Sequence, residues 1–249
     1  SEIENYYEPF LGGGSVLFGI LQNIKKNEIN ISQEIYAYDS NPYLISLYQN
    51  LQKEPIKFYE AVKSMKDKMN SIKTLNEKNR DLLKARIKFL NLEKYQEYIK
   101  PARKKKLEEA EYVIESLSEA EINSSREMFY YWVRRNFNEM TPEEKSSIVG
   151  SAHFLFLNKT CFRGLYRISV NQDLKSNLQK EFYDSLSWEQ VNYFNVPYGN
   201  YKKPEIITLP HVKEISKLVE NVKFNCLMFE ESLAQIKRND FVYLDPPYA

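Results

Sequence analysis

Cysteine is nearly absent. The 249 residues hold two, Cys161 and Cys226, too few for a disulfide framework and without metal-ligand spacing, so a cross-linked secreted scaffold is excluded and a reducing compartment is expected. Histidine is as scarce: His153 and His211 stand far apart with no carboxylate or cysteine pattern, so neither is a candidate base and no metal site is expected. No apolar run is long enough to cross a bilayer and no charged-then-apolar leader is visible, which predicts a soluble intracellular or cytoplasmic protein with no membrane partner. Charge of one sign is missing too. Lys+Arg 35 nearly cancels Asp+Glu 34 for a formal net charge of +1, so any nucleic-acid surface has to be a local patch. Glycine (7) and proline (10) are few, and each one marks a position worth locating. Aromatics are plentiful, with 19 tyrosines and 14 phenylalanines. The length suits one large domain or a domain with a substantial insertion, and the second is favoured.

Tyr6-Tyr7-Glu8 reads as a strand end, and residues 15–24 carry apolar side chains at helical spacing (Val16, Leu17, Ile20, Leu21, Ile24). The next apolar run, Ile35-Tyr36-Ala37-Tyr38, stops at Asp39-Ser40-Asn41-Pro42, where Asn41 can cap a helix whose first residue is Pro42. From residue 55 to 157 strand signals vanish into Lys- and Glu-rich helical periodicity. There, Thr141-Pro142-Glu143-Glu144 is a capping box expected to start a helix running to residues 154–157. Residues 158–203 mix aromatics, Gly164, Pro197 and Gly199 with basic residues, the texture of a loop-and-hairpin module. Helical spacing returns over 212–219 and 231–236, an extended run over 223–227, and a strand expected to be buried over 241–244. The fold class is therefore α/β: residues 1–54 and 205–249 form one doubly wound domain, interrupted by an insertion, 55–204, helical over 55–157 and loop or hairpin over 158–204.

Two motifs carry chemistry. Glu8-Pro9-Phe10-Leu11-Gly12-Gly13-Gly14 follows the first strand and opens the first helix. Glycines there let backbone amides approach a ligand, and a helix start offers positive partial charge. Asp39, at the end of the next strand, stands where related folds accept ribose hydroxyls. At the far end lies Asp245-Pro246-Pro247-Tyr248. A planar amine conjugated with a ring is a poor nucleophile, and Asp245 with the Pro246 carbonyl can accept both of its N–H groups as it becomes tetrahedral. Two prolines fix φ and stiffen such a loop, and Tyr248 offers a face on which a planar group can stack.

In this order, and with a long stretch between them, these motifs resemble the DNA adenine-N6 methyltransferases of the Dam-like (D12) class. The resemblance implies a Rossmann-like S-adenosylmethionine-dependent methyltransferase sheet, interrupted by a mostly helical target-recognition domain with a hairpin. It implies S-adenosylmethionine as cofactor: Pro9, Phe10, Gly12, Gly13 and Gly14 around its methionine part, Glu8 near its amino group, and Asp39 on the ribose. Asp245 would border it, and Cys226 and Phe229 would wall its adenine. Met228 departs from the small polar or acidic residue usual there, and Cys226 is equally readable as a small apolar residue of the core. Methyl transfer would be a direct displacement from the sulfonium, without metal or covalent enzyme intermediate.

The resemblance extends to Phe154–Arg167 and Asn195–Pro204, which look like the DNA-reading hairpin of the same enzymes. By resemblance Arg167 reads a guanine edge, Leu165 and Pro197 meet a thymine methyl, and Tyr201 with Lys202 touches bases or backbone. Arg163 is a further DNA candidate. It stands where Asn is more usual, and Asn200 where a basic residue is usual; the resemblance implies a GATC target in double-stranded DNA, and these two departures allow a related site that differs from it. Tyr130, Tyr131, Trp132, Arg134 and Arg135 resemble a helix beside that hairpin, with Trp132 read as core and either arginine within reach of phosphate. The run Arg103-Lys104-Lys105-Lys106 continues into acidic residues and reads as a solvated face.

The family also carries a Lys- and Gly-containing segment before the first strand and further strands after the Pro-Pro loop, so both ends look cut and the catalytic sheet edge uncovered. Three readings stand. One is an adenine-specific DNA methyltransferase, whole or in part. Another is a DNA-binding remnant, or one part of a split enzyme that needs a complementary chain. The third is a methyltransferase for a protein amide or an RNA base, against which Asp245 and residues 158–203 both speak. The sequence does not fix the oligomeric state.

Overall fold

The structure is a computed structural model that describes residues 3–72, 92–109, 118–201, 204 and 206–246. Six strands run through them: β1 (Tyr6–Glu8), β2 (Ile35–Asp39), β3 (Ile168–Val170), β4 (Asn192–Phe194), β5 (Val222–Cys226) and β6 (Phe241–Val242). The chain divides into two compact units. One comprises Ser1–Lys63, Glu143–Phe154 and Ile207–Ala249, the other Ser64–Pro142 and Leu155–Ile206.

The first unit holds a four-stranded parallel sheet in the order β5-β2-β1-β6. β1 is central and wholly buried, as its Tyr-Tyr pair favours. From β1 the chain moves outward to β2, later to β5, and then returns to the other side of β1 as β6. That reversal is a topological switch point, and such sheets take ligands beyond the carboxyl ends of the strands there. The helix Ser15–Lys25 buries Leu17 and Leu21, as the 15–24 periodicity predicts. The helix Pro42–Lys53 starts as expected: the Asn41 side chain accepts from the amides of Tyr43 and Leu44, with Pro42 first. It buries Ile45, Leu47, Tyr48 and Leu51, and Tyr48 stacks on Phe224 of β5 with centroids 5.1 Å apart.

Three expectations are corrected. The helix begun by the Thr141 capping box does not run on to residue 157. It stops after Pro142–Ser146, and a second helix spans Ile148–Thr160. Ser147 makes the break: its hydroxyl donates to Glu144 O and accepts the Gly150 amide, as a cap does. Helix 231–236 is instead Phe229–Leu233, because the Glu231 carboxylate accepts the Met228 amide at 3.1 Å and starts it earlier. β6 is not buried. Phe241 is 46% and Leu244 51% exposed, since β6 is an edge strand of the described sheet.

In the second unit β3 and β4 pair antiparallel, Ile168 opposite Phe194 and Val170 opposite Asn192. Residues 171–191 join them through three short helices, Gln172–Asn177, Lys180–Asp184 and Trp188–Val191. This long connection is packed: its Leu174 and Leu178 bury with Tyr193 of β4 and with Leu92, Tyr95 and Ile99. The helix Arg126–Glu139 is capped by Ser125, whose hydroxyl accepts the Met128 amide. Trp132 is half-buried and stacks on Phe129 at 5.9 Å.

Candidate active site and nucleic-acid interface

At the switch point the two chain extremities meet. Tyr6 and Tyr7 are in register with Phe241 and Val242, the Phe241 amide donates to Asn5 O at 2.8 Å, and the Tyr243 amide donates to Tyr7 O at 2.9 Å. The glycine turn therefore leaves β1 beside the segment that carries Asp245 and Pro246 away from β6. Both of these residues are exposed, so an incoming group can reach them.

Glu8 is 2% exposed and accepts a 2.6 Å hydrogen bond from the Tyr6 hydroxyl. Burial raises its carboxyl above the usual range, the Tyr6 bond opposes that, and the charge of Asp245 adds to the rise. Pro9 is buried as well. The turn itself closes through Gly14 N to Leu11 O at 2.9 Å, and the Leu11 amide reaches Tyr38 O at 2.8 Å. Gly14 has φ of 69°, and a Cβ there would lie 2.8 Å from the Tyr48 hydroxyl, so only glycine fits without strain. Above Gly12 and Gly13 a Cβ would meet nothing within 4 Å, which leaves an open cradle.

Asp39 ties this cradle to β2. One carboxylate oxygen accepts the Gly12 amide at 3.0 Å and the other the Asn41 amide at 2.9 Å. Each oxygen keeps a further lone pair for a ligand. The Tyr48 hydroxyl supports the turn from below, donating to Gly12 O at 3.2 Å. Burial first, then the charges of Glu8 and Asp39, push that phenol upward, so it stays a neutral donor. Phe10 stacks on Phe229 with centroids 5.5 Å apart. Cys226 is exposed, its thiol raised by its surroundings and then by Asp39, and it lines a cleft of about 390 Å³ with Tyr38, Pro42, Gln49, Leu227 and Gln235. Phe229 is not among the residues lining that cleft.

The second unit carries the basic and aromatic segments as antiparallel neighbours. The Asn195 amide donates to Arg167 O at 3.1 Å, the Phe162 amide to Pro197 O at 2.8 Å and the Gly199 amide to Thr160 O at 2.9 Å. They approach so closely that a Cβ on Gly199 would lie 2.6 Å from Cys161 O. Arg163, Leu165, Arg167, Pro197 and Tyr201 are all exposed, alongside Phe162 and Tyr166. An exposed apolar and cationic patch of this kind suits base edges and phosphates together. Arg163 has φ of 57°, with its guanidinium over the Phe162 ring at 5.1 Å. A helix holds the second segment in place: Tyr130 Oη and Arg134 Nη1 both donate to Val196 O, at 2.7 and 3.1 Å. Asn138 both donates to Phe194 O and accepts its amide, at 3.0 and 2.9 Å. Arg134 is thereby taken up in support of Val196, its guanidinium also over the Tyr131 ring at 4.7 Å. Arg135 pairs with Glu139 at 3.0 Å.

The profile of the D12 class N6 adenine-specific DNA methyltransferases matches residues 1–113 and 182–249. The chain belongs to that family. Among its relatives, the type II methyltransferase M.MjaIII of Methanocaldococcus jannaschii is 29% identical over 99% of this chain and 59% of its own length. The retron Ec67 DNA adenine methylase of Escherichia coli is 35% identical over 50% of this chain and 36% of its own length. The DNA adenine methylase of Escherichia coli strain K12 is 27% identical over 55% of the chain and 44% of its own length. The chain thus spans about three fifths of the length of the first of these relatives and less than half of the other two.

Of the residues the family resemblance singles out, Glu8, Phe10, the glycines, Asp39, Phe229 and Asp245 come together around the carboxyl ends of β1, β2 and β6 in the first unit. Arg163, Leu165, Arg167, Pro197 and Tyr201 share the second. Pro247, Tyr248 and Lys202 lie outside the described residues. Sequence reasoning gave Tyr6 only a place in the first strand and missed Tyr48 and Asn138; all three act through partners that local spacing does not reveal. No helix among the described residues is long and apolar enough to cross a membrane.

Proposed function

We propose that the protein transfers a methyl group from S-adenosylmethionine to N6 of an adenine flipped out of duplex DNA. The single observation that carries this reading is the parallel pairing of β1 with β6, from whose carboxyl ends the glycine turn and Asp245 both depart. Residues 1–54 and 205–249 serve as the catalytic part and 55–204 as the target-recognition part, in an intracellular setting with DNA. The target is GATC or a related sequence.

The residues present fit the cofactor. The open space over Gly12 and Gly13 admits its methionine part, the buried Glu8 carboxyl faces an ammonium group, and the spare lone pairs of Asp39 accept ribose hydroxyls. Cys226 and Phe229 flank the adenine. When bound, the cofactor supplies an electrophilic methyl on a sulfonium. The protein does the rest by position. Asp245 and the Pro246 carbonyl accept the N–H groups of the amine, so its lone pair is released from the ring as the nitrogen becomes tetrahedral, and this stabilisation grows towards the transition state. The roles expected of Pro247 and Tyr248, a stiff loop and a stacking face, fall outside the described residues. Arg163, Leu165, Arg167, Pro197, Tyr201 and Lys202 read and hold the duplex.

The exposure of Phe241 and Leu244 favours one further reading, in which a strand from another segment or a complementary chain must cover β6 before the site turns over. Both readings are tested by incubating the protein with labelled cofactor and unmethylated duplexes of varied sequence. Label recovered as N6-methyladenine supports the first. Cofactor and DNA binding without transfer, restored by a longer form of the protein, supports the second. Label in a protein amide or RNA base would overturn both.

A further inference from the structure

Arg167 does not stand free on the recognition face. Its Nε donates to Asn195 Oδ1 at 2.8 Å, and the two residues are also joined through the backbone, Asn195 N to Arg167 O at 3.1 Å. An arginine only donates, so the amide oxygen of Asn195 must face it and the amide nitrogen must point away. That nitrogen donates to the hydroxyl of Ser169 on β3. Ser169 therefore sets which way Asn195 points, and Asn195 sets the plane of the guanidinium.

We propose that Asn195 is a positioning residue for base recognition: by occupying Nε of Arg167 it leaves the two terminal nitrogens to face a pair of adjacent acceptors on one base. The geometry of the fork decides this. With Nε engaged, the side-on edge is taken and the end-on edge remains, and two parallel N–H groups on that edge match guanine O6 and N7 in the major groove. This partner is a neutral amide, so the bond fixes the fork without cancelling its charge. It also removes rotamer freedom that DNA binding would otherwise have to freeze. The inference rests on the reading of this unit as a DNA interface, and of Arg167 as a guanine reader.

The test is selection of duplexes with a randomised core by the whole chain, read by sequencing, with the salt dependence of binding measured on a selected duplex. Wild type enriches guanine at one position, and Arg167→Ala loses it there. Asn195→Ala lowers the preference at that same position by about tenfold, with the slope of affinity against salt unchanged because no phosphate contact is lost. Asn195→Asp keeps an acceptor for Nε and retains the preference, while binding more weakly because its carboxylate offsets the cation. Ser169→Ala lowers the preference partly, and it supplies the test if Asn195→Ala fails to fold. Unchanged guanine preference in Asn195→Ala, or in Ser169→Ala where that variant stands in, overturns the inference alone. So does uniform weakening at all positions with a reduced salt slope, which would make Asn195 a phosphate contact. No enriched sequence with wild type would overturn the DNA-reading function itself, and the inference with it.

Discussion

In the sheet unit the functional residues hang from backbone ladders: β1 lies between β2 and β6, so the glycine turn, Asp39 and Asp245 are set by strand register. In the second unit the two basic and aromatic segments are irregular for much of their length. Their places come from side chains of one helix, with Tyr130 and Arg134 gripping Val196 and Asn138 gripping Phe194. The first kind of support tolerates change in most side chains, because backbone groups do the aligning. The second can fail with a single side chain, because the buried amide and carbonyl of Phe194 both rest on Asn138. Substitutions in the two units should therefore separate chemistry from stability in different ways.

The largest effect is expected where position alone matters. Asp245→Ala removes an acceptor from an exposed residue, so methyl transfer falls by about a thousandfold or more while the melting temperature stays near that of wild type. Loss of both together would show that the loop supports the fold. Asn138→Ala leaves the buried amide and carbonyl of Phe194 without their partner and costs about 2–3 kcal/mol, visible as an earlier denaturant midpoint. Sequence discrimination should fall with it and cofactor affinity should not, and a loss of cofactor affinity would erase the contrast between the units. Gly14→Ala places a Cβ in the left-handed region against Tyr48 and costs about 1–2 kcal/mol, with weaker cofactor binding and unchanged DNA binding by titration.

The smallest effect is a matter of sign. Burial raises the Glu8 carboxyl, so the folded chain holds that proton more tightly than the unfolded chain does. Below the unfolded value both forms are protonated and Glu8 costs nothing. As pH rises from there the unfolded chain ionises first, so stability falls, and the loss is complete above the folded value. Glu8→Gln should therefore melt higher than wild type at neutral pH, with the difference vanishing in acid, while its cofactor affinity drops. A melting curve independent of pH, or a less stable variant at neutral pH, would contradict the assignment.

The same contrast explains what could be read in advance. β1, β2, the helix between them and the Asn41 cap with Pro42 are local signals, and the structure has them where the residues put them. The Ser147 break was hidden because a capping box announces a start and carries no information about an end. β6 looked buried because an apolar run reads alike in a central and an edge strand; only the sheet order separates them. The β3–β4 pair consists of two three-residue strands on either side of residues 171–191, and what aligns it, Asn138 from a distant helix, leaves no periodic mark.

The central claim is that the glycine turn and the Asp245 segment are two walls of one cofactor site. Hydrogen–deuterium exchange with and without S-adenosylhomocysteine measures this without requiring turnover. Slowed exchange at the amides of Leu11, Gly12 and Gly13 together with Leu244 and Asp245 is the predicted result. Protection of the glycine turn with the Asp245 segment unchanged would contradict it.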